Sequence, residues 1–195
     1  MEFALNEEEK LFGIFGCIVG WKGIKEFVRA AALVVKSIPN AKGFIVDDCS
    51  DGDQKFLEEV RELITNYGME RDIILTGYRK DVPAFMQLMD VVVHASIMAE
   101  PFGMVLIEGM AMGKPVVATK MGGPLDIVVD GQTGFLVDPD NIVEGLAKAV
   151  QRLLREKPLA EIMGRNGQDR VVSLFTKERS ARQVEEVYIH ALGRG

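Results

Sequence analysis

Cysteine is scarce in this chain of 195 residues: Cys17 and Cys49 stand apart, with no Cys-x-x-Cys spacing. That argues against a disulfide-stapled scaffold, and both thiols are expected to be reduced. Histidine is as sparse, with only His94 and His190, so a Cys/His zinc cluster has no ligands to draw on and no metal or other cofactor is expected. Positive charge is also short. Lys plus Arg number 23 against 29 Asp plus Glu, a net charge of −6, which leaves no chain-wide field to attract nucleic acid or anionic lipid. Any phosphate site must be local. The longest apolar-looking run, LFGIFGCIVGW, has 11 residues and three glycines, well under the roughly 20 needed to span a bilayer. The opening MEFALNEEEK is acidic and does not read as a secretory signal. The expectation is a soluble, cytoplasmic protein with no part integral to a membrane.

What is present is the composition of a globular domain, 48% apolar and 27% charged, in a length that suits one compact unit spanning 1–195. Short apolar runs alternate with segments of helical period. Leu11–Gly16, Gly43–Val46, Ile73–Leu75, Val91–His94, Pro115–Ala118 and Gly134–Val137 suit buried strands of a parallel sheet. Gly23–Lys36, Gln54–Tyr67, Val82–Met89 and Gly103–Met112 place apolar residues three and four apart, as crossover helices do. The fold class is therefore α/β, a doubly wound sheet with helices on both faces. After Val137 only helical patterns remain, at Asn141–Arg155, Leu159–Ser173 and Lys177–Leu192, which predicts a C-terminal helical tail. Ligands of such sheets bind outside the carboxyl ends of the strands. The loops at that edge are Cys17–Lys22, Asp47–Asp53, Gly77–Asp81, Ala95–Phe102 and Thr119–Gly123.

In the first of these, GCIVGWKG, Gly16 and Gly20 permit tight turns and Lys22 stands at the start of the first helix, against the helix dipole. A bound phosphate would repay that cost; a solvated surface lysine is the alternative. The stretch AEPFGMVLIEGMAMGKPVVAT places Glu100 before a helix and Glu108 within it, the first near the helix mouth and the second deeper. Between them, Pro101 pre-sets the helix start, and the N–H groups of Phe102, Gly103, Met104 and Val105 form a small anion- and hydroxyl-binding cap. Two carboxylates in so apolar a segment need donors, and sugar or ribose hydroxyls would serve; an exposed glutamate plus a salt-bridged one is the other reading. Gly122 and Gly123 lie on the ligand edge, whereas Asp130-Gly131 and Thr133-Gly134 read as a structural turn. His94 reads as a core or loop histidine, and Met104, Met110 and Met112 read as core filling.

The ordered set FGIFGCIVGWKG, EPFGMVLIEGMAMGKPVVATKMGG and DGQTGFLVDPDN resembles the retaining nucleotide-sugar glycosyltransferases called group 1 or family 4, with their Glu-x7-Glu signature. The likeness runs over nearly the whole chain and is to the C-terminal, donor-binding half of these GT-B enzymes. It implies a Rossmann-like domain binding a UDP-, GDP- or ADP-sugar without metal, inactive alone because the N-terminal acceptor domain is absent. It further implies that Glu108 holds the ribose, Glu100 lies at the donor sugar, Phe102–Val105 contact sugar and distal phosphate, and Lys22 neutralises the diphosphate beside Gly16. Tyr78 and Arg79 would line the base pocket. The chain departs from the family at Cys17, where an arginine is usual, and at Asp47 and Cys49, where glycines are usual. Those departures keep a second reading open, a non-catalytic nucleotide-sugar-binding or regulatory module, and a GT-B sugar epimerase is a third.

Overall fold

In the computed structural model, residues 3, 5–47 and 53–193 are described. Six parallel strands form one sheet in the order β3-β2-β1-β4-β5-β6: β1 Lys10–Phe15, β2 Ala41–Asp47, β3 Ile73–Tyr78, β4 Val91–His94, β5 Val116–Thr119 and β6 Gly134–Val137. The reversal of direction falls between β1 and β4, where Phe12, Gly13 and Ile14 lie opposite Val91, Val92 and Val93. Chain connections leave in opposite directions at this point and open a crevice at the carboxyl ends. Both Lys22 and Glu100 follow these two strands.

Helices cover both faces of the sheet. Phe12, Ile14, Ile45, Val91, Val93 and Val117 face α1 (Ile24–Ser37), α2 (Gln54–Asn66) and α6 (Ile142–Arg155); Leu11, Phe15, Phe44, Val92, Val116 and Ala118 face α3 (Val82–Leu88) and α4 (Met104–Ala111). Because successive residues of β1, β4 and β5 are buried on opposite faces, these strands read as unbroken apolar runs rather than alternating ones. A four-residue helix, α5 (Pro124–Ile127), lies beyond β5; its shortness left no periodicity to read in the sequence. After β6 the chain is helical, through α6, α7 (Lys157–Leu174) and α8 (Lys177–Ala191). Thr176 caps α8 by accepting the Arg179 N–H, yet α8 buries none of its residues.

Of the three methionines expected to fill the core, one does not. Met110 is buried and Met112 packs against the core, but Met104 is 55% exposed. It occupies the first turn of α4, at the strand-end edge, where the helix has no neighbouring layer to fill.

Candidate functional site

The site is assembled by two loops that dock on each other. After β1 the chain makes a single 3-10 turn at Gly20–Lys22, then enters α1 through Gly23. Gly23 has φ +70°, and a Cβ there would run into the Ala95 carbonyl oxygen, so the turn can press directly onto the chain leaving β4. The Ile97 N–H donates to the Trp21 carbonyl at 2.9 Å and fixes that contact. Lys22 is thereby carried across to the β4 loop, its stem passing Gly16 and its ammonium 4.5 Å from the centre of the Trp21 ring.

The β4 loop is braced from the other side by the chain after β5. Glu100 bridges to Gly122, and the Gly123 N–H donates to the Glu100 carbonyl at 2.8 Å. A side chain at position 123 would collide with the Phe102 carbonyl. Gly122 and Gly123, which the sequence places at the ligand edge, thus act there by letting the backbone of Glu100–Phe102 lie close.

Within this frame Glu100 is the centre of a polar cluster. Lys22 Nζ lies 3.1 Å from both carboxylate oxygens, His94 Nε2 is 2.7 Å from Oε2, and Ser96 Oγ donates to Oε2 at 3.1 Å. The side chains of Lys22 and Glu100 are 18% and 13% exposed, that of His94 only 3%. The hydrogen bond from His94, reinforced by Lys22 and opposed by burial, holds the Glu100 carboxyl down at about 2, from an ordinary value of 4.5. Glu100 is therefore a fixed anion at neutral pH. His94 is buried, as a core histidine should be, but among the described residues its Nδ1 has no partner, so it is only half satisfied. The signal that could have found it is its position, at the last residue of a strand on the ligand edge and six residues before Glu100.

The two glutamates exchange the depths expected of them. Glu108 lies on an exposed position of α4, whereas Glu100 is enclosed. Helical spacing fixes the angle between side chains on α4 but not the course of the preceding loop, which folds Glu100 back beneath Lys22. At the mouth of α4, Gly103 is the N-cap and Phe102 is half exposed, its ring edge-on to Phe175 with centroids 6.4 Å apart. Met104 and Val105 follow as the first two helical residues, whose N–H groups have no acceptor within the helix. Tyr78 ends β3, two strands away from β1, and is 48% exposed. The guanidinium of Arg79 makes two 2.8 Å bonds to the Asp81 carboxylate and lies 4.7 Å from the Phe85 ring centre. It keeps Asp81 below the usual carboxylate range.

The cysteines depart from expectation. Cys17 is disulfide-bonded, not a reduced thiol. Whether two cysteines can join depends on which strands are neighbours, and sequence spacing does not give that. Cys49 lies outside the described residues, and Asp47 closes β2. Among the described residues no group of three or more His, Cys, Asp or Glu is placed to hold a metal ion, and no helix is long and apolar enough to cross a membrane.

Comparison with known proteins agrees with this fold. Residues 2–170 match the family model described as glycosyl transferases group 1. The capsular polysaccharide biosynthesis glycosyltransferase CapM of Staphylococcus aureus is 28% identical over 190 residues, which covers 94% of this chain and 47% of CapM. The trehalose synthase of Thermococcus litoralis is 32% identical over 160 residues, 80% of this chain and 38% of that enzyme. HepE of Anabaena, crystallised with UDP-glucose, superposes with a TM-score of 0.85 at 30% identity, over 93% of this chain and 49% of HepE. The chain thus spans between 38% and 49% of the length of these relatives. The C-terminal domain of LpcC, a group 1 glycosyl transferase from Francisella tularensis, matches over 86% of this chain and 87% of its own length, with a TM-score of 0.78 at 30% identity. With the architecture of one Rossmann-like half of a GT-B fold and a family match over residues 2–170, this chain belongs to the group 1 glycosyl transferases and corresponds to their C-terminal half.

Proposed function

We propose that this domain binds a nucleoside diphosphate sugar in the crevice between the β1 and β4 loops and presents it for retaining transfer to an acceptor. One observation carries the reading: Lys22 and Glu100, 78 residues apart, meet at the carboxyl ends of β1 and β4 beside the N-terminus of α4. A flexible cation, a fixed anion and unpaired helix-start amides are what a diphosphate joined to a polyhydroxylated ring requires. Lys22 and the amides of Phe102–Val105 take the phosphates, Glu100 takes sugar hydroxyls, and Glu108, on the exposed side of α4, takes the ribose. Tyr78 and Arg79 are assigned to the base. As the glycosidic bond breaks, negative charge grows on the leaving diphosphate, and Lys22 with the α4 amides stabilises it. UDP is the first candidate among UDP, GDP and ADP, since HepE was crystallised with UDP-glucose.

Transfer requires a second Rossmann-like domain to hold the acceptor and close over the donor, as the relatives' twofold greater length suggests. The exposed apolar residues of α8 are assigned to that domain. Work in the cytoplasm fits a nucleotide-sugar donor, while a disulfide at Cys17 favours an oxidising setting. That disulfide, on the loop that would face the phosphates, also favours a second reading, a domain that binds nucleotide sugar without transferring it.

Calorimetry with UDP-, GDP- and ADP-glucose tests the proposal. One donor is expected to bind, and Glu108→Ala is expected to abolish that binding with the far-ultraviolet circular dichroism unchanged. Retained binding in the folded variant would remove Glu108 from the site, and no binding of any donor by the wild type would leave only the fold.

A further inference from the structure

The two oxygens of Glu100 are held unequally. Oε2 receives His94 Nε2 at 2.7 Å, Ser96 Oγ at 3.1 Å and Lys22 Nζ at 3.1 Å, whereas Oε1 receives Lys22 alone among the described residues. The donors also differ in mobility. His94 ends β4 and Ser96 lies two residues beyond it, and they are only 3% and 2% exposed. Both are enclosed, His94 on the sheet and Ser96 in the loop that follows it. Lys22 reaches Glu100 from a separate loop on a four-carbon stem, and a lysine stem turns readily when a better partner arrives.

We infer that His94, assisted by Ser96, is a positioning residue that anchors Oε2 of Glu100, so that Oε1 meets the donor sugar in one orientation once Lys22 turns to the diphosphate. This rests on the donor-binding reading above. A carboxylate only accepts, so the hydrogen between the two groups sits on His94 Nε2. Nδ1 is then left buried without a partner among the described residues. An apolar residue filling the same space would not incur that cost, so packing alone does not account for an imidazole here. The compensating interaction is the short bond to Glu100. Without it, Glu100 would keep Lys22 as its main partner and would follow the lysine toward the phosphates, losing its aim at the sugar.

The test compares the affinity of the domain for a nucleoside diphosphate glucose with that for the matching nucleoside diphosphate, by calorimetry. The ratio of the two reads only the sugar-dependent part of binding. His94→Phe keeps a ring but no donor and is expected to lower that ratio on the order of tenfold, with the affinity for the nucleoside diphosphate unchanged. His94→Gln, whose amide nitrogen reaches as far as Nε2, is expected to restore it. Ser96→Ala, a smaller change in the same cluster, is expected to lower the ratio less, and it reads the anchor even where His94→Phe does not fold. An unchanged ratio in both His94→Phe and Ser96→Ala, or a Gln variant no better than Phe, overturns the inference while leaving the donor site standing. A wild type that binds neither ligand overturns the donor-binding reading itself, and this inference with it.

Discussion

At the level of single residues, Glu100 couples the stability of the domain to pH in a definite direction. Its carboxyl is held at about 2 in the folded chain against an ordinary 4.5, so folding favours the ionised form. The stabilisation is fully present above about 4.5 and is lost as the pH falls toward 2. Glu100→Gln removes the charge, so the stability gap between the wild type and this variant in urea denaturation should be constant from neutral pH down to about 4.5 and then close. A gap that does not narrow in acid would mean that His94 and Lys22 do not favour the ionised carboxylate. Part of this centre is legible in the sequence. Lys22 and Glu100 stand in loops at the predicted ligand edge, and both meet there. Their direct pairing is not legible, because it depends on Gly23 letting one loop press onto the other. His94 escapes for the same reason: its role comes from a partner whose loop folds back over it, and residue type alone favours an ordinary core histidine. The depth of Glu108 and the disulfide at Cys17 likewise depend on loop course and strand order.

Among the elements, the joints between strands and helices matter more to the site than the helices themselves. The 3-10 turn after β1 is held to the β4 loop by one backbone hydrogen bond and by the close approach at Gly23. Gly23→Ala adds a Cβ against the Ala95 carbonyl and strains a residue at φ +70°. It should destabilise the domain by about 2 kcal/mol or more in urea denaturation. It should also weaken donor binding, because relief of the clash moves Lys22 away from Glu100. A Gly23→Ala domain of wild-type stability would show that the two loops do not dock as described. The strands themselves are easier to read. Val91–His94 and Gly134–Val137 are found with the bounds their sequences predict, since their apolar runs are uninterrupted. Pro115 falls outside β5, which starts at Val116. Tyr78 is included in β3 although exposed, its pairing with Asp47 following a register shift that hydropathy does not report.

For the whole molecule, the uneven distribution of apolar surface separates a self-sufficient core from an appendage. The sheet and its helices up to α7 bury two contiguous apolar layers. By contrast, α8 buries nothing: Val184 is 55%, Val187 68%, Tyr188 65% and Ile189 44% exposed, and Leu192, its C-cap, 68%. These five large apolar side chains on the helix and its C-cap, with Val184, Tyr188 and Leu192 at four-residue intervals, form a stripe rather than scattered exceptions. Such a stripe contributes little to folding while it faces water, and it favours association with any complementary surface. Removing residues 177–195 should therefore leave the thermal unfolding midpoint within a few degrees of the full chain, as loss of about 1 kcal/mol or less implies. The shortened domain should elute as a monomer at concentrations where the full chain self-associates in size-exclusion chromatography. It should also retain nucleotide-sugar binding, since Lys22, Glu100 and α4 all precede the deletion. Loss of cooperative unfolding on truncation would place α8 within the core of the domain and would remove its apolar stripe as the surface assigned to a second domain.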